Sequence, residues 1–340
     1  MFKIGIIGAT GYTGQELVEV LCEHPVVKMA YLSAKVEKEQ NISKIFPSLV
    51  GKIDLPCGNL QINEAIKETD ILFLAVPHTV SMEIAPKFLK AGKKVIDLSA
   101  DFRLKNAKVY QKWYGVKHKT PQLLAQAVYG LPELYREKIK KAQLVANPGC
   151  YPTAVILGLA PLVEGNYINY DNIIIDAKTG MTGAGRKPLL SLIFSEVNEN
   201  IKAYKINEHQ HMPEIEQELT RLIKKKVSII FVPHVVPLNR GIMATMYVKF
   251  RKQITPSKLI DLYKTFYRNE PFIRILDYGI TPQTKDVDKT NYCSIGIKMD
   301  EKAKTAVVVS AIDNLGKGAA HQAVQNMNVM CGFVETLGLK

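Results

Sequence analysis

The segment Lys3-Ile4-Gly5-Ile6-Ile7-Gly8-Ala9-Thr10-Gly11-Tyr12-Thr13-Gly14 predicts how the first half of the chain is built. Its apolar start indicates a buried strand, and a helical pattern follows the glycines over residues 15–22. Strand, glycine turn and helix form the setting that a dinucleotide-binding fingerprint requires. Gly8 would allow the tight turn, Gly11 the approach of a pyrophosphate, and Gly14 close packing of helix on strand. A plain tight turn in an α/β domain is the alternative, because the spacing is G-x-x-G-x-x-G.

The end of the second predicted strand, over residues 27–32, bears on which dinucleotide is bound. Sites for NAD usually place an acidic residue there to hold the ribose 2′-hydroxyl. This chain has Ser33-Ala34-Lys35 instead. A hydroxyl and an ammonium group suit a 2′-phosphate, so the sequence predicts NADP. The alternative is that Ser33 and Lys35 are ordinary loop residues.

Two further buried strands are predicted at residues 71–76 and 95–98. Ligands of open α/β sheets bind at the carboxyl ends of the strands, which makes Ser99 and Arg103 candidate ligand contacts. The guanidinium of Arg103 could hold a phosphate or carboxylate with two parallel hydrogen bonds. An ion pair with Asp101 or another acid is an equally good interpretation.

The segment Asn147-Pro148-Gly149-Cys150-Tyr151-Pro152-Thr153 lies between a short apolar run and a longer, helical one. Pro152 suits the first turn of that helix. Cys150 therefore stands at a helix start, where the dipole and unpaired N–H groups favour a thiolate over a thiol. A thiolate there is a candidate nucleophile. The commoner role of a lone cysteine is that of a small buried hydrophobe.

Two later segments carry further candidate site residues. The loop Thr179–Pro188 contains three glycines and two cations after a predicted strand, a composition that suits an anion-binding loop. His209 and His211 precede a helix that begins near Pro213, and an extended backbone would project both to one side. We interpret the pair as an acid/base for Cys150, since no third and fourth ligands at suitable spacing indicate zinc. Surface histidines that cap the helix are the alternative.

Composition limits the class of protein. The 340 residues suffice for two domains with separate cores. Five cysteines, odd in number and without a C-x-x-C pair, indicate a reducing compartment and no disulfide framework. The net charge is +13, but lysine clusters are short and lack interleaved aromatics, so we expect anionic small molecules as partners and no nucleic acid. Neither a signal peptide nor an apolar run of membrane-spanning length is visible, which predicts a cytoplasmic protein.

The second half of the chain predicts a different architecture. Strand patterns at residues 227–236, 242–250, 292–299 and 305–312, with one helix at 256–268, indicate an α+β domain with a mainly antiparallel sheet. A last helix is predicted at residues 316–330. The fold class is therefore α/β, with an N-terminal Rossmann-type domain followed by this α+β domain.

These motifs, together with Asp97–Arg103, Val232–His234, Arg240–Ile242 and Asp313–Gly318, occur in the order found in one family. The chain resembles the N-acetyl-gamma-glutamyl-phosphate reductases of arginine biosynthesis, a family grouped with the aspartate-semialdehyde dehydrogenases. The resemblance spans the whole chain, and the Asn147–Thr153 motif is its most specific part.

The resemblance implies an NADP-binding Rossmann domain over residues 1–147, joined by a C-terminal helix over 314–340, and a catalytic and dimerisation domain over 148–313. It implies NADP(H), an acyl phosphate substrate and a homodimer or homotetramer, while the residue spacing itself indicates no metal site. Cys150 matches the nucleophile and His209 the acid/base. Residues expected at the cofactor are Gly8, Thr10, Gly11, Tyr12, Thr13, Gly14, Ser33, Lys35, Pro77, Ser99, Gly183, Ala184, Gly185 and Asn314. Residues expected at the substrate are Arg103, Asn147, Tyr151, Arg186 and His211.

Three other functions fit parts of the sequence. An aminoadipate-phosphate reductase of lysine biosynthesis would use the same chemistry, although the residues around Cys150 favour the arginine branch. A redox sensor could use Cys150 without turnover. A nucleic-acid binder would use the basic charge, and its binding would depend strongly on salt.

Overall fold

The computed structural model describes residues 1–340. The chain divides into two compact units. The first unit comprises residues 1–148 and 319–340, and the second comprises residues 149–318. No helix has both the length and the apolar character that a bilayer crossing needs.

The first unit alternates strands and helices along residues 1–148. Its elements are β1 (Phe2–Ile7), α1 (Tyr12–Cys22), β2 (Val27–Ser33), β3 (Gln40–Asn41), α2 (Ile42–Ile45), β4 (Pro56–Gly58), α3 (Ile62–Glu68), β5 (Ile71–Leu74), α4 (Ser81–Lys90), β6 (Lys94–Asp97), α5 (Ala107–Tyr114), α6 (Leu123–Gln126), β7 (Val128–Tyr129), α7 (Pro132–Ile139) and β8 (Leu144–Ala146).

These strands form one sheet in the order β3-β4-β2-β1-β5-β6-β8-β7. All neighbours are parallel except β3 and β4. The central strands read as continuous apolar runs because both faces are covered, and every residue of β5 is buried. The chain reverses its direction of travel across the sheet between β2 and β5, with β1 between them. In open α/β sheets, ligands bind outside the carboxyl strand ends at such a point, here after Ile7 and Leu74.

The second unit is built on a long buried helix and a second sheet. Its elements are α8 (Cys150–Glu164), β9 (Ile173–Thr179), α9 (Phe194–Val197), β10 (Lys202–Ala203), α10 (Met212–Ile223), β11 (Ile229–Val235), β12 (Ile242–Lys249), α11 (Pro256–Phe266), β13 (Ile273–Ile275), β14 (Cys293–Asp300) and β15 (Thr305–Ile312). Single 3-10 turns occur at Pro47–Leu49, Met181–Ala184, Leu190–Leu192 and Thr284–Val287.

The second sheet has the order β10-β11-β9-β12-β15-β14-β13. It is antiparallel apart from the parallel pairs β9 with β11 and β13 with β14, as the prediction of a mainly antiparallel sheet requires. One face packs against α8, whose residues 151–163 are all buried. A helix that is apolar all round belongs in a core, which explains the long hydrophobic run after Cys150.

Helix α8 contains an internal proline that disrupts its own hydrogen bonding. Pro161 has no N–H to donate to the carbonyl of Leu157, four residues earlier. Two tyrosines of the α11 region compensate. The hydroxyl of Tyr267 donates to the Leu157 carbonyl at 2.6 Å, and that of Tyr263 donates to the Gly158 carbonyl at 2.7 Å. Both hydroxyls therefore satisfy buried acceptors beside the proline.

The predicted last helix begins with a π-helical turn at Gly316–Ala320 and continues as α12 (His321–Cys331). Helix α12 belongs to the first unit and is buried throughout residues 321–330, including its polar side chains. Asn326 donates to Oδ1 of Asn147 at 2.9 Å and to the carbonyl of Gly130 at 2.8 Å. These bonds fix the chain just after β8.

Candidate active site

The glycine turn after β1 leaves no room for side chains at two positions. A β-carbon on Gly8, whose φ is +95°, would lie 2.2 Å from the carbonyl oxygen of Ala75. One on Gly14 would lie 2.1 Å from the carbonyl oxygen of Gly8. The N–H groups of Gly8 and Ala9 donate to the Ser33 carbonyl at 2.7 and 2.9 Å. The turn is thus fixed by backbone alone and packs helix α1 directly against it.

Helix α1 begins with Gly11 as its N-cap, in extended conformation and without a side-chain cap. Its first turn carries no acidic residue. The N–H groups at such a helix start, together with the dipole, favour an anion. Thr10, Tyr12 and Thr13 are partly exposed around it. This turn has no side-chain cap and lies where the chain reverses its direction across the sheet, a position that fits the pyrophosphate of a dinucleotide.

The two residues expected near a 2′-phosphate differ in exposure. Ser33 is completely buried, and its Oγ has no hydrogen-bond partner. Lys35 is exposed. Of the two, only the ammonium group of Lys35 reaches solvent, so the expected preference for NADP depends on it.

The motif after β6 is held in a buried polar network. The Oγ of Ser99 donates to Asp97 at 2.9 Å and accepts from the N–H of Asp101 at 3.1 Å. Arg103 is 5% exposed, and its Nε and Nη2 donate to the carbonyls of Asn147 and Leu98, each at 2.8 Å. The carboxylate of Asp101 accepts from the N–H groups of Thr79 and Met82 and from the hydroxyl of Tyr110, while Pro77 lies exposed after β5.

Asn147 is 1% exposed, and both ends of its amide are occupied within the first unit. Its Nδ2 donates to the Ala319 carbonyl at 3.0 Å, and its Oδ1 accepts from Asn326. These contacts support the segment that leads into Cys150. Such contacts are typical of a residue that holds the backbone in place, whereas the sequence predicts that Asn147 contacts the substrate.

Cys150 is the first residue of α8 and is partly exposed. Its N-cap, Gly149, has no side-chain cap, and the first helical turn has no acidic residue. The Gly149 N–H instead donates to Oε1 of Glu214 at 2.8 Å, and the Gly149 carbonyl accepts from Thr153 Oγ1 at 3.0 Å. The sulfur thus stands at the positive end of a buried 15-residue helix, where an anion is favoured.

His209 and His211 are brought together by a turn, and the expected extended segment is wrong. Residues 206–208 and 210–211 are turns, and Asn207 has a φ of 55°. The rings lie 4.8 Å apart between centroids, and the N–H of His211 donates to Nδ1 of His209 at 3.1 Å. The bend has a physical reason: Met212 N donates to the His209 carbonyl at 2.9 Å, which starts α10.

Three aromatic rings surround His209 in the second unit. Its ring centroid lies 5.5 Å from those of Tyr151, Tyr204 and Phe231. Burial, aided by the charge of Lys205, lowers the pKa of His209 to about 4. At neutral pH the imidazole is therefore uncharged. Burial and the charge of Cys150 raise the pKa of Tyr204 to about 12, against the opposing effect of its bond to Tyr151.

The glycine loop after β9 is exposed over Gly183, Ala184, Gly185 and Arg186. Its base is held by Asn314, whose Nδ2 donates to Thr182 Oγ1 at 2.9 Å and whose Oδ1 accepts from Gly241 N at 2.7 Å. Both ends of the Asn314 amide are thus occupied within the unit. Its contacts explain the shape of the loop, while a contact with cofactor remains a prediction.

Sequence reasoning missed Tyr204, Glu214 and Phe231 in the site around Cys150. Tyr204 follows a two-residue edge strand that carries no pattern of its own. Glu214 stands in the first turn of α10, where an acid usually indicates only a dipole partner. No group of three or more His, Cys, Asp or Glu side chains could hold a metal ion.

Two family models match the chain and together cover most of it. They are the semialdehyde dehydrogenase NAD binding domain, over residues 3–142, and the semialdehyde dehydrogenase dimerisation domain, over residues 150–314. These matches place the chain in the semialdehyde dehydrogenase class of oxidoreductases.

Similar curated proteins narrow this class. The chain is 50% identical to N-acetyl-gamma-glutamyl-phosphate reductase of Desulfotalea psychrophila, over 100% of this chain and 98% of that protein. It is 47% identical to the protein of the same name from Moorella thermoacetica, with the same coverage. The chain belongs to the N-acetyl-gamma-glutamyl-phosphate reductase family, and the prediction from its motifs is confirmed.

Solved structures confirm the predicted fold class. Aspartate semialdehyde dehydrogenase II from Vibrio cholerae superposes with a TM-score of 0.74 over 98% of this chain and 99% of that one, at 18% identity. The enzyme from Candida albicans, solved with NADP, gives 0.72 over 97% and 98%, at 17% identity.

Proposed function

We propose that this protein reduces N-acetyl-gamma-glutamyl phosphate to N-acetylglutamate 5-semialdehyde and phosphate, with NADPH, in arginine biosynthesis. The observation that carries the proposal is Cys150 at the start of α8, in a unit that also gathers His209, Tyr151 and Tyr204. Relatives of that name, nearly half identical over the whole chain, supply the substrate. The glycine turn after β1, which has no room for side chains at Gly8 and Gly14, supports a cofactor site there.

Covalent catalysis by Cys150 divides the reduction into two easier steps. Its thiolate bonds to the acyl carbon, and the carbon–oxygen bond to phosphate breaks, so that phosphate leaves with the electron pair. The acyl group is then a thioester on Cys150. Bound NADPH supplies the hydride for the second step. Collapse of the resulting oxyanion on Cys150 forms the aldehyde and returns an electron pair to sulfur.

The neighbours of Cys150 would stabilise the charges that develop in these steps. We propose that N–H groups at the start of α8 donate to the substrate oxyanion. His209 exchanges a proton or donates a hydrogen bond to the same oxygen. Tyr151, directly after the nucleophile, and His211, against the ring of His209, line the site. Arg103 and Arg186 are proposed to hold substrate anions, and Asn147 to support the segment before Cys150.

The sheet of the second unit supports a homo-oligomer. Ile174 on β9 and Tyr247 on β12 are cross-strand neighbours and are 41% and 40% exposed on one face of the sheet. Large apolar side chains on an open sheet face are typical of a protein interface. We propose that a second copy covers this face, giving a homodimer or homotetramer. Light scattering of the wild type and of Tyr247→Lys would test it, with a shift toward monomer expected for the variant.

The five cysteines, none of them in a disulfide, agree with a cytoplasmic location.

The decisive experiment measures oxidation of NADPH and NADH with two substrates, N-acetylglutamyl phosphate and aminoadipyl phosphate. We expect turnover with NADPH and the first substrate. Cys150→Ser should abolish it, and His209→Asn should lower kcat roughly a hundredfold or more. Phosphate-dependent reduction of NADP by the semialdehyde at wild-type rate in Cys150→Ser would contradict the mechanism. Preference for aminoadipyl phosphate would place the enzyme in lysine biosynthesis.

A further inference from the structure

A directed chain of hydrogen bonds runs away from His209 within the second unit. Nε2 of His209 lies 3.5 Å from the hydroxyl of Tyr204. That hydroxyl donates to the hydroxyl of Tyr151 at 3.3 Å, and Tyr151 donates to the His234 carbonyl at 3.4 Å. A carbonyl can only accept, so Tyr151 is the donor to His234. The hydroxyl of Tyr151 also hydrogen-bonds the side chain of Thr179.

The direction of these hydrogen bonds at His209 follows from the contact made by Nδ1, the other nitrogen of its ring. Nδ1 of His209 accepts the backbone N–H of His211 at 3.1 Å. A neutral imidazole has one donor and one acceptor nitrogen, so its proton lies on Nε2. Nε2–H therefore donates a hydrogen bond to the hydroxyl of Tyr204, and the O–H of Tyr204 donates to the hydroxyl of Tyr151. His209, Tyr204 and Tyr151 then each donate to the next group in the series, and the His234 carbonyl accepts.

The length of the first bond is part of the inference. At 3.5 Å the contact between Nε2 and Tyr204 is weak, and hydrogen bonds in catalytic sites without substrate are often long. A weak partner holds the ring in place yet can yield Nε2–H to a stronger acceptor. A substrate oxyanion bound to Cys150 is such an acceptor.

We infer that Tyr204 is a positioning residue, whose hydroxyl aims the Nε2–H of a neutral His209 at the oxygen of the substrate carried by Cys150. The inference rests on the proposed function and refines the role of His209. His209 then acts in the reducing direction mainly as a hydrogen-bond donor to an oxyanion. A buried neutral imidazole can polarise a carbonyl in this way without becoming charged.

Packing alone does not explain the tyrosine. A phenylalanine would keep the edge-on contact with His209, which lies 5.5 Å away between ring centroids. The hydroxyl adds a polar group in a partly buried site. It is a donor at neutral pH, as any tyrosine hydroxyl is, and burial raises the pKa of Tyr204 further, to about 12. Burying a hydroxyl costs free energy unless it forms hydrogen bonds, here with the rings of His209 and Tyr151.

Tyr204→Phe tests the inference, with Tyr263→Phe as the matched control. Both remove one hydroxyl from the second unit, but the hydroxyl of Tyr263 contacts only the helix carbonyl of Gly158 in the hydrogen bonds described above. We expect Tyr204→Phe to lower kcat about tenfold to a hundredfold while KM for both substrates changes less than about twofold. Tyr263→Phe should lower the unfolding temperature and leave kcat unchanged.

A double-mutant cycle with His209→Asn separates positioning from an independent role. If Tyr204 acts through His209, adding Tyr204→Phe to His209→Asn should cost less than about a further twofold in kcat. Multiplied losses, or a loss confined to KM, would overturn the inference. If wild-type enzyme turns over neither acyl phosphate, the proposed function fails instead.

Nitrogen-15 spectra of labelled histidine test the geometry without turnover. Seven histidines are present, and the His209 signals are assigned by their loss in His209→Asn. At pH 7 we expect a proton on Nε2 and none on Nδ1, with the Nε2 signal shifted in Tyr204→Phe and unshifted in Tyr263→Phe. A proton on Nδ1, or an Nε2 signal insensitive to Tyr204, would overturn the inference.

Discussion

Helices α1 and α8 begin in the same way, although we propose that they bind different anions. Each follows a buried parallel strand, and each has an extended glycine N-cap, Gly11 (φ −71°, ψ 165°) or Gly149 (φ −68°, ψ 155°). Neither has a side-chain cap or an acid in its first turn. The same backbone arrangement, a helix start without a side-chain cap, thus supports both proposed anion sites: one for cofactor phosphates and one for the sulfur of Cys150.

The two starts differ in what fixes them. At α1, backbone groups do so, because Gly8 and Ala9 donate to the Ser33 carbonyl and Gly14 lies against Gly8. At α8 a side chain from another element does so, because Glu214 accepts from Gly149 N. A pyrophosphate needs a turn free of side chains. The nucleophile is itself a side chain, that of Cys150, and the turn that carries it is held by another side chain, that of Glu214.

The largest effect that this contrast predicts is that of Gly14→Ala. A β-carbon there would lie 2.1 Å from the Gly8 carbonyl and 2.8 Å from the Ala9 Cα, both backbone atoms that cannot rotate away. We expect a loss of unfolding free energy of more than about 3 kcal/mol and no measurable NADPH binding. Thermal unfolding and quenching of NADPH fluorescence would measure both.

Gly11→Ala is the matched control for that substitution. Its φ is −71°, and the nearest atom to a new β-carbon is the Gly8 carbonyl at 3.6 Å, an ordinary contact. The unfolding temperature should therefore stay near that of the wild type, even if cofactor binding weakens. Equal destabilisation by the two substitutions would show that close packing at Gly14 is not what the turn requires.

A smaller effect is expected at the α8 start, from Glu214→Ala. Glu214 is 1% exposed, and its loss removes the acceptor of the Gly149 N–H beside Cys150. Leaving a buried N–H unsatisfied costs about 1–3 kcal/mol. Movement of the nucleophile should also lower kcat, by about tenfold or more. Urea unfolding and single-turnover rates would measure the two consequences.

Glu214→Gln keeps an acceptor oxygen and removes the charge. It should recover most of the unfolding free energy that Glu214→Ala loses. Should the two substitutions prove equally damaging, the charge of Glu214 rather than its hydrogen bond to Gly149 would be what the site needs.

The two starts also differ in how well sequence alone reveals them. The strand, turn and helix around Gly8 to Gly14 are contiguous, so glycine spacing and periodicity suffice to predict them. Cys150 at the first position of α8 could be predicted for the same reason. Glu214 and Tyr204 could not, because their contacts depend on long-range packing: β10 beside Tyr204 pairs with β11 about thirty residues later.

Burial was the other property that local pattern did not show. Ser33 and Lys35 look alike in sequence as candidates for a 2′-phosphate, yet one is fully buried and the other exposed. The turns around His209 and His211 are likewise absent from the local pattern, because Asn207, two residues before His209, adopts a positive φ that no residue pattern requires. Side-chain geometry of this kind is set by the tertiary structure.

Lys35→Ala should sharpen the contrast further by changing only the charge near the α1 start. The exposed ammonium can pair with a 2′-phosphate, and an exposed ion pair contributes at most about 1 kcal/mol. We expect KM for NADPH to rise about fivefold, with KM for NADH and kcat unchanged. Lys38→Ala, also exposed, is the control. Equal changes with both cofactors would remove Lys35 from 2′-phosphate recognition.

The smallest predicted change is in the pH dependence of the α8 site. Because burial holds the pKa of His209 near 4, the imidazole is neutral from pH 8 down to about 5, and titration of His209 should add no inflection to kcat across that range. An inflection near pH 6.5, the ordinary pKa of histidine, that is present in the wild type and absent from His209→Asn would show instead that a charged His209 takes part.

Stability should respond where kcat does not. Between about pH 6.5 and 4 the unfolded chain binds a proton at His209 that the folded protein does not, so this residue destabilises the fold progressively as pH falls through that window. The difference in unfolding free energy between wild type and His209→Asn should therefore be constant above pH 6.5 and should shift against the wild type below it. A difference independent of pH from 8 to 4 would mean that His209 titrates alike in both states, and that the α8 site is wetter than its three surrounding rings indicate.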